Sequence, residues 1–436
     1  MQKPKLFQIV VTGIFIVLLV FGFLGFSGKI ALPTAGGDVN YGNVTLWGTL
    51  PSAIMQTVIT GGLKNNKSIV INYVQKNADT FNTDFVEALA RGNGPDLILL
   101  PQDEIVKKLD KLSAMSYRSY PERDFKDTFI PEGEMFLFPV GVIALPFIID
   151  PVVMYWNRDI FTSALIAAPP VLWSDFYSLV PKITVHDKSG NITRSLVSFG
   201  EYRNVSHAKE IVATLMMQAG SQIVANNKGV FSVSLDTVNV TSAENPIITA
   251  MRFFTEFSKP DKDSYSWNRS LPESHSMFEA GDLALYFGYA SEYEQIKKRN
   301  PHLNFDVTMM PQVGSASTKL TFGRIQGVAI TAASRNQIGA FYAATILAGK
   351  SVAANISAAL ELPPVRRDLI SLAPGNAKLA VFYDSALISR GWYDPSPSES
   401  NLVFMAMFDS VTSGRNSMAE ALAVANGSLS KIINSR

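Results

Sequence analysis

Apolar and polar positions change period several times along this chain, and each change marks an element. Val44-Thr45-Leu46-Trp47 ends at Gly48-Thr49 and reads as a buried strand, followed by a helix from about Ser52 to Leu63 and a second strand from Ile69 to Val74. Between Asp79 and Arg91 the apolar residues Phe81, Phe85 and Leu89 recur on one helical face, and Gly92 or Gly94 supplies a C-cap. Leu97 to Leu100 is then a continuous apolar strand. Strands that alternate with helices and are apolar on both faces predict a parallel sheet covered on both sides. Ligands of such sheets bind beyond the carboxyl ends of the strands, where Trp47-Gly48-Thr49 and Pro101-Gln102-Asp103 fall.

The pattern continues in an apolar run from Ile143, closed by Met154-Tyr155-Trp156, that reads as a buried strand, and the run Phe136 to Asp150 within this stretch carries Pro139 and Pro146. A short helix fits Ile160 to Ile166, Pro169-Pro170 stops it, and another helix starts after Trp173, with Ser174 as its N-cap and Asp175 in its first turn. Ala208 to Ala219 is an apolar helix ending at Gly220, and Pro246 opens a helix that runs to Phe257. Leu283 to Phe287 is a strand left through Gly288-Tyr289-Ala290, with Ser291 and Glu294 spaced as a capping box for the next helix. This places Tyr289 at a strand end beside a helix N-terminus. Phe305 to Met310 and Ile325 to Ile330 are apolar enough to return to the first sheet, and helices at Ile338 to Leu347 and Leu402 to Val411 follow. Gly391-Trp392-Tyr393 interrupts a loop between those two helices.

A length of 436 residues suits two domains, and a net charge of +1 without a basic stripe lacks the footprint of a nucleic-acid binder. The chain has no cysteine, which excludes disulfides, thiolate metal sites and a lipid-modified cysteine anchor. Any anchor is protein. Leu6 to Phe26 is uncharged and close to the roughly 20 residues that cross a bilayer, and Lys3 and Lys5 precede it, which predicts a cytoplasmic N-terminus and an exported body. The competing reading, a cleavable signal, needs a shorter apolar core and a better cleavage site than Gly28-Lys29-Ile30-Ala31. Residues 1–28 are therefore expected to form the anchor or an uncleaved signal, and residues 29–43 a tether.

The search for catalytic chemistry returns little. His186, His207, His275 and His302 have no paired-ligand spacing, and Gly349-Lys350-Ser351 follows a helix and has Ala344 where a phosphate-binding loop needs glycine. No cofactor or metal is expected. Carboxylates at Asp103-Glu104 and Asp150 leave one enzymatic reading open, that of a glycosidase with two acids across a cleft.

Several ordered segments resemble family 1 extracellular solute-binding proteins of ABC importers. Tyr155, Asn157, Arg158 and Asp159, then Pro169, Pro170, Trp173, Asp175 and Phe176, match the family's YN(K/R)D and PP-x-TW-x-(D/E)-F pattern, with Trp156 inserted and Leu172 in place of threonine. Trp47-Gly48, Gly92 to Leu97, the hairpin around Lys182 to Ile192, Tyr265-Ser266-Trp267-Asn268, Met277 to Leu285 and Met310-Pro311-Gln312 resemble further family segments. The resemblance spans nearly all of Val44 to Arg436. It implies a periplasmic-binding-protein-like type II fold of two α/β lobes joined by a hinge: lobe 1 from 44–148 plus about 305–350, lobe 2 from about 150–303 plus 355–436. Hinges are expected near Ile149 to Val153 and Gln312 to Thr321. The implied function is a membrane-anchored receptor that captures a sugar or other small solute and delivers it to ABC permease subunits, with its body extracytoplasmic.

Candidate ligand-binding residues are Trp47, Gln102, Asp103, Asp150, Trp267, Tyr289, Arg324 and Trp392. Aromatic faces pack against sugar C–H groups, while carboxylates, amides and guanidinium groups meet the hydroxyls. Core packing competes for Trp267, an ion pair for Asp103 or Arg324, and a loop anchor for Trp392; Arg324 equally suits a carboxylate or phosphate ligand. The alternatives are a membrane-anchored carbohydrate-active enzyme and a surface sensor without a permease.

Overall fold

A computed structural model describes residues 40–64, 66–235, 245–314, 318–372 and 374–435. The expected apolar span from Leu6 to Phe26 lies outside the described residues, and among those described no single helix is long and apolar enough to cross a membrane.

Strands β1 (Gly42–Gly48), β2 (Ile69–Gln75) and β3 (Leu97–Pro101) run parallel with β1 in the middle, connected through helices α1 (Ser52–Gly62) and α2 (Phe81–Ala90). Val44, Leu46 and Leu97 to Leu100 are buried, as expected of strands covered on both faces. Then come β4 (Leu145–Asn157), α3 (Asp175–Ile183), β5 (Ile192–Val197), α4 (Ala208–Gln218), α5 (Pro246–Glu256), β6 (Leu283–Tyr289), β7 (Phe305–Thr308) and β8 (Thr321–Thr331). Helices α6 (Gln337–Leu347), α7 (Lys350–Leu360), α8 (Ala377–Leu387), α9 (Pro397–Thr412) and α10 (Met418–Asn434) complete the chain.

The main sheet runs in the order β2-β1-β3-β8-β4-β6-β5. Its central strand, β4, belongs to both halves. Residues Leu145 to Pro151 pair antiparallel with β8, whereas Val152 to Trp156 pair antiparallel with β6 and Met154 to Asn157 with β7. Prolines explain how the strand manages this. Pro146 cannot donate to the ladder, and the register slips beside it at Gln326–Gly327, leaving Phe147 as the extra residue of a bulge. Pro151 stands at the change of partners.

The second half-sheet packs on an aromatic cluster. Trp173 and Phe176 of the α3 region and Phe199 each lie within ring-centroid distances of 5.2–6.5 Å of one another and of both Phe253 and Phe287, and the Phe176 and Phe199 planes differ by only 7°. Truncating one such ring to alanine typically costs about 3–5 kcal/mol. The Trp173 indole donates to Gln218 at 2.6 Å, and Gln218 donates to the carbonyls of Pro311 and Leu320. The strand-to-strand connection before β8 is thereby tied to α4.

Three local expectations are corrected. The strand expected at Phe305 to Met310 forms as β7 but pairs with Met154–Asn157, so it stays with the second half and only β8 returns. Ser174 makes no side-chain cap; the Asp175 carboxylate instead accepts from the Leu172 N–H at 3.1 Å. Ser291 does not cap with Glu294 either. Glu292 accepts from the Tyr289 N–H at 2.9 Å, and the Ser291 hydroxyl donates to Asp150. Helix α7 packs back on α1, with Val352 over Gly62, where a Cβ would sit 2.4 Å from the valine.

Candidate functional site

The carboxyl end of β3, the middle of β8, the end of β6 and the start of α9 converge where β4 changes partners. Pro101 ends β3, and the chain turns through Gln102 and Asp103. Gln102 is 1% exposed, and its amide oxygen accepts the Ile325 N–H at 3.0 Å. Its side chain also presses on Gly391, where a Cβ would lie 2.1 Å from the amide nitrogen, so only glycine admits this approach of the late loop. Gln102 therefore braces the site.

Arg324 emerges from β8 with its guanidinium carbon 4.3 Å from the centre of the Tyr289 ring, and it donates to Asp150 at 3.3 Å. Asp150 is buried, with its other contacts supplied by the Ser291 N–H at 3.0 Å and the Ser291 hydroxyl at 2.7 Å. Burial pushes its carboxyl above the usual range, against the opposing pull of Arg324 and Ser291. Asp150 thus holds Arg324 in place by joining β8 to the turn after β6. Tyr289 is fixed from behind as well: its carbonyl accepts the Tyr155 hydroxyl at 2.6 Å.

Asp103 lies on the facing wall. It lines a cavity of about 250 Å³ with Thr49, Asn82, Arg324, Gln326 and Pro397, residues from both halves of the molecule. Among the described residues its carboxylate has no hydrogen-bond donor or ion-pair partner. Burial, then the nearby Asp394, raise its pKa to about 6, with Lys209 and Arg324 pulling the other way. Its neighbour Glu104 is committed to Lys108 at 2.6 Å and to Asn82 at 2.9 Å.

A second cavity, about 490 Å³, lies on the other side of Pro397, lined by Tyr202, His207, Lys209, Glu210 and Met405 among others. Lys209 donates to Asp394 at 2.7 Å, to the Pro397 carbonyl at 3.1 Å and to Ser400 at 3.3 Å, which docks α9 against α4. His207 meets Glu292 at 2.7 Å and presents its ring edge-on to Tyr289, 4.9 Å between centroids. Burial alone would raise Glu292, but His207, the Tyr286 hydroxyl and the Tyr289 N–H outweigh it and hold the carboxyl below its ordinary range. Burial would likewise depress His207, yet Glu292 lifts it above its ordinary value. The His207 backbone is left-handed at φ 55, an uncommon state for a non-glycine residue and worth noting where a side chain is so closely held.

Of the eight residues expected at the site, Asp103 and Arg324 line the cavity, Tyr289 and Asp150 support Arg324, and Gln102 braces the floor. Trp392 is buried in the adjoining wall, 6.1 Å from Phe404, with the Lys209 ammonium 6.0 Å from its ring. Trp47 ends β1 with Lys76 3.8 Å over its ring. Trp267 is not part of the cleft: it is fully buried in the second half, its indole N–H donating to Asn204 at 3.1 Å. Residues the sequence did not single out are His207, Lys209, Glu210, Glu292, Asp394 and Pro397. One signal was present for Lys209, a cation in the first turn of a helix, where the dipole disfavours it unless an anion compensates.

Residues 63–380 match the family described as bacterial extracellular solute-binding proteins. No curated protein sequence matches the chain. Among solved structures, a cyclo/maltodextrin-binding protein complexed with maltotetraose is 14% identical with a TM-score of 0.71, the alignment covering 92% of this chain and 98% of that one. The cyclic α-maltosyl-1,6-maltose binding protein of Arthrobacter globiformis is 12% identical with a TM-score of 0.72, covering 90% and 99%. The GacH receptor of Streptomyces glaucescens, solved unliganded and with acarbose, is 17% identical with a TM-score of 0.65, covering 90% and 98%. At these identities the likeness is one of fold, the periplasmic-binding-protein-like α/β arrangement that the sequence motifs implied.

Proposed function

The chain belongs to the family of bacterial extracellular solute-binding proteins, and from that premise we propose that it captures a carbohydrate in the cleft between its two half-sheets and delivers it to an ABC permease. The observation that carries this reading is the cavity itself. Asp103 and Gln326 come from the first half and Pro397 from the second, so a solute held there touches both. A ligand favours a closed state only through contacts that the open state lacks, and such a shared site supplies them. Arg324 stacked on Tyr289 offers further N–H donors to hydroxyl oxygens, in a pocket whose lining also carries Thr49, Asn82 and Gln326. The sugar and maltodextrin ligands in the names of the structural neighbours support carbohydrate as the class.

Closure is assigned to a hinge at Pro151–Val152, where β4 exchanges β8 for β6, together with the connection from Pro311 to Leu320. One lobe then comprises residues from 44 to about 150 with about 321–360, the other about 152–320 with the C-terminal helices. Leu6 to Phe26 would anchor the chain with its body on the extracytoplasmic side, in keeping with an extracellular family.

The glycosidase reading requires two carboxylates free to act. Asp103 is one and Glu210 another, but Glu210 lines the separate cavity beyond Pro397, while Glu104 is held by Lys108 and Asn82, Asp150 by Ser291 and Arg324, and Asp394 by Lys209, Ser396 and Ser400, so among the described residues no two free carboxylates line the same cavity. Titration calorimetry of the full-length chain against an oligosaccharide panel, with chromatography of the recovered ligand, tests the proposal. Saturable binding with the ligand returned intact is the expected result; absence of binding across the panel, or appearance of shorter sugars, sinks it. Tyr289→Ala should weaken binding roughly tenfold or more by removing the ring under Arg324.

A further inference from the structure

The charged groups around the two cavities pair off almost completely. Arg324 meets Asp150, Lys108 meets Glu104, Lys209 meets Asp394, His207 meets Glu292, and Arg203 meets Asp409. Every cationic side chain lining either cavity is thereby matched. Two carboxylates are left over: Asp103 in the smaller cavity and Glu210 in the larger, on opposite sides of Pro397. Among the described residues neither side chain has a donor or a counter-charge within contact distance.

We infer that the solute read by this cleft carries a protonated amine, as an amino sugar or an amine-bearing oligosaccharide does. The inference rests on the carbohydrate reading above and narrows it. A neutral sugar can donate hydroxyls to Asp103 and Glu210, but it leaves two anions uncompensated in a cleft that loses water as it closes, which is unfavourable in a low-dielectric site. An ammonium group donates up to three hydrogen bonds and cancels charge at the same time, and such charge-assisted bonds are roughly twice as strong as neutral ones. An anionic solute fits worse. It would face Asp103 and Glu210 with each cation already engaged, and Arg324 is itself flanked by Asp150, Asp103 and Glu210. The spare N–H donors of Arg324 suit the hydroxyl oxygens of the same scaffold. The charged groups facing Asp103 are Asp394, Lys209, Glu104, Arg324 and Lys108, and each of these three cations already holds another carboxylate: Lys209 holds Asp394, Arg324 holds Asp150 and Lys108 holds Glu104.

The test compares two isosteric oligosaccharides by calorimetry of the full-length chain at pH 7: the β-1,4 glucosamine tetramer and cellotetraose, which differ in an ammonium or a hydroxyl at each C2. The amine-bearing tetramer is expected to bind about tenfold or more tighter, the equivalent of one charge-assisted contact. Asp103→Asn keeps the shape of the side chain, and its folding is checked by its melting transition; it should erase that preference to within about twofold, while Glu210→Gln reduces it separately. Equal or tighter binding of cellotetraose overturns the inference and leaves the carbohydrate receptor standing. If neither these two nor maltotetraose binds, the carbohydrate reading falls and this inference with it. A preference that survives both substitutions places the amine elsewhere and overturns the assignment to these carboxylates.

Discussion

Two half-buried carboxylates on opposite walls of the cleft have shifted in opposite directions. Glu292, after β6, is filled by His207, the Tyr286 hydroxyl and the Tyr289 N–H, and its pKa lies low. Asp103, after β3, has no hydrogen-bond or ion-pair partner among the described residues, and its pKa rises to about 6. Both are acidic residues in turns following strands. The difference lies in whether the protein itself supplies the donors: where it does, the carboxylate is architecture; where it does not, a valence is left for something that arrives. Perturbed pKa values arise at both kinds of place, so satisfaction, more than perturbation, separates a structural acid from a ligand-reading one.

The strongest challenge to this contrast is Glu292→Gln. It breaks a partly buried ion pair and leaves His207 without its counter-charge, so a loss of about 3–5 kcal/mol in urea unfolding is expected. A cost below about 1 kcal/mol would mean that Glu292 is no more structural than Asp103. The reverse substitution in sign is Asp103→Asn, which should stabilise the unliganded protein by up to about 3 kcal/mol at pH 7.5. Because the folded-state pKa lies above the ordinary value of 3.8, the charged form is penalised fully above about pH 6; the gain should shrink below that and vanish near pH 4. Melting curves across that range check it.

Ser291→Ala removes a donor from buried Asp150, with an expected cost of about 1–2 kcal/mol and looser placement of Arg324, read as weaker ligand affinity in calorimetry. The smallest effect belongs to His207. Its folded pKa is raised, so its bond to Glu292 contributes in full below about pH 6.5 and fades as pH rises through the folded value. His207→Asn suits the left-handed backbone and should flatten the fall in melting temperature between pH 6.5 and 8; an unchanged slope would detach His207 from Glu292.

The alternation of apolar strands and helices up to Leu100 was legible because both faces of those strands are buried, and the Tyr155 to Phe176 segment because its aromatics and prolines leave few local alternatives. The return of β7 to the second half was not: a four-residue apolar strand carries no mark of its partner, and pairing with Met154–Asn157 is decided by which edge is open. Gln102 and Asp103 are adjacent polar residues in one turn, yet the Gln102 amide oxygen accepts the Ile325 N–H of β8, whereas among the described residues the Asp103 carboxylate has no donor. Trp267 sits in a turn segment that resembles one of the family's and is spent in the core.

By itself, the sequence determined the kind of elements and the order in which they follow one another, because periodicity, prolines and glycines act locally on the backbone. The tertiary structure decided which polar side chains at the strand ends are satisfied. Hydrogen bonds and ion pairs such as Lys209–Asp394 and His207–Glu292 join residues 185 and 85 positions apart, and only their distances show that Asp103 and Glu210 have no partner among the described residues. Charge is written in the sequence, but its compensation exists only in three dimensions.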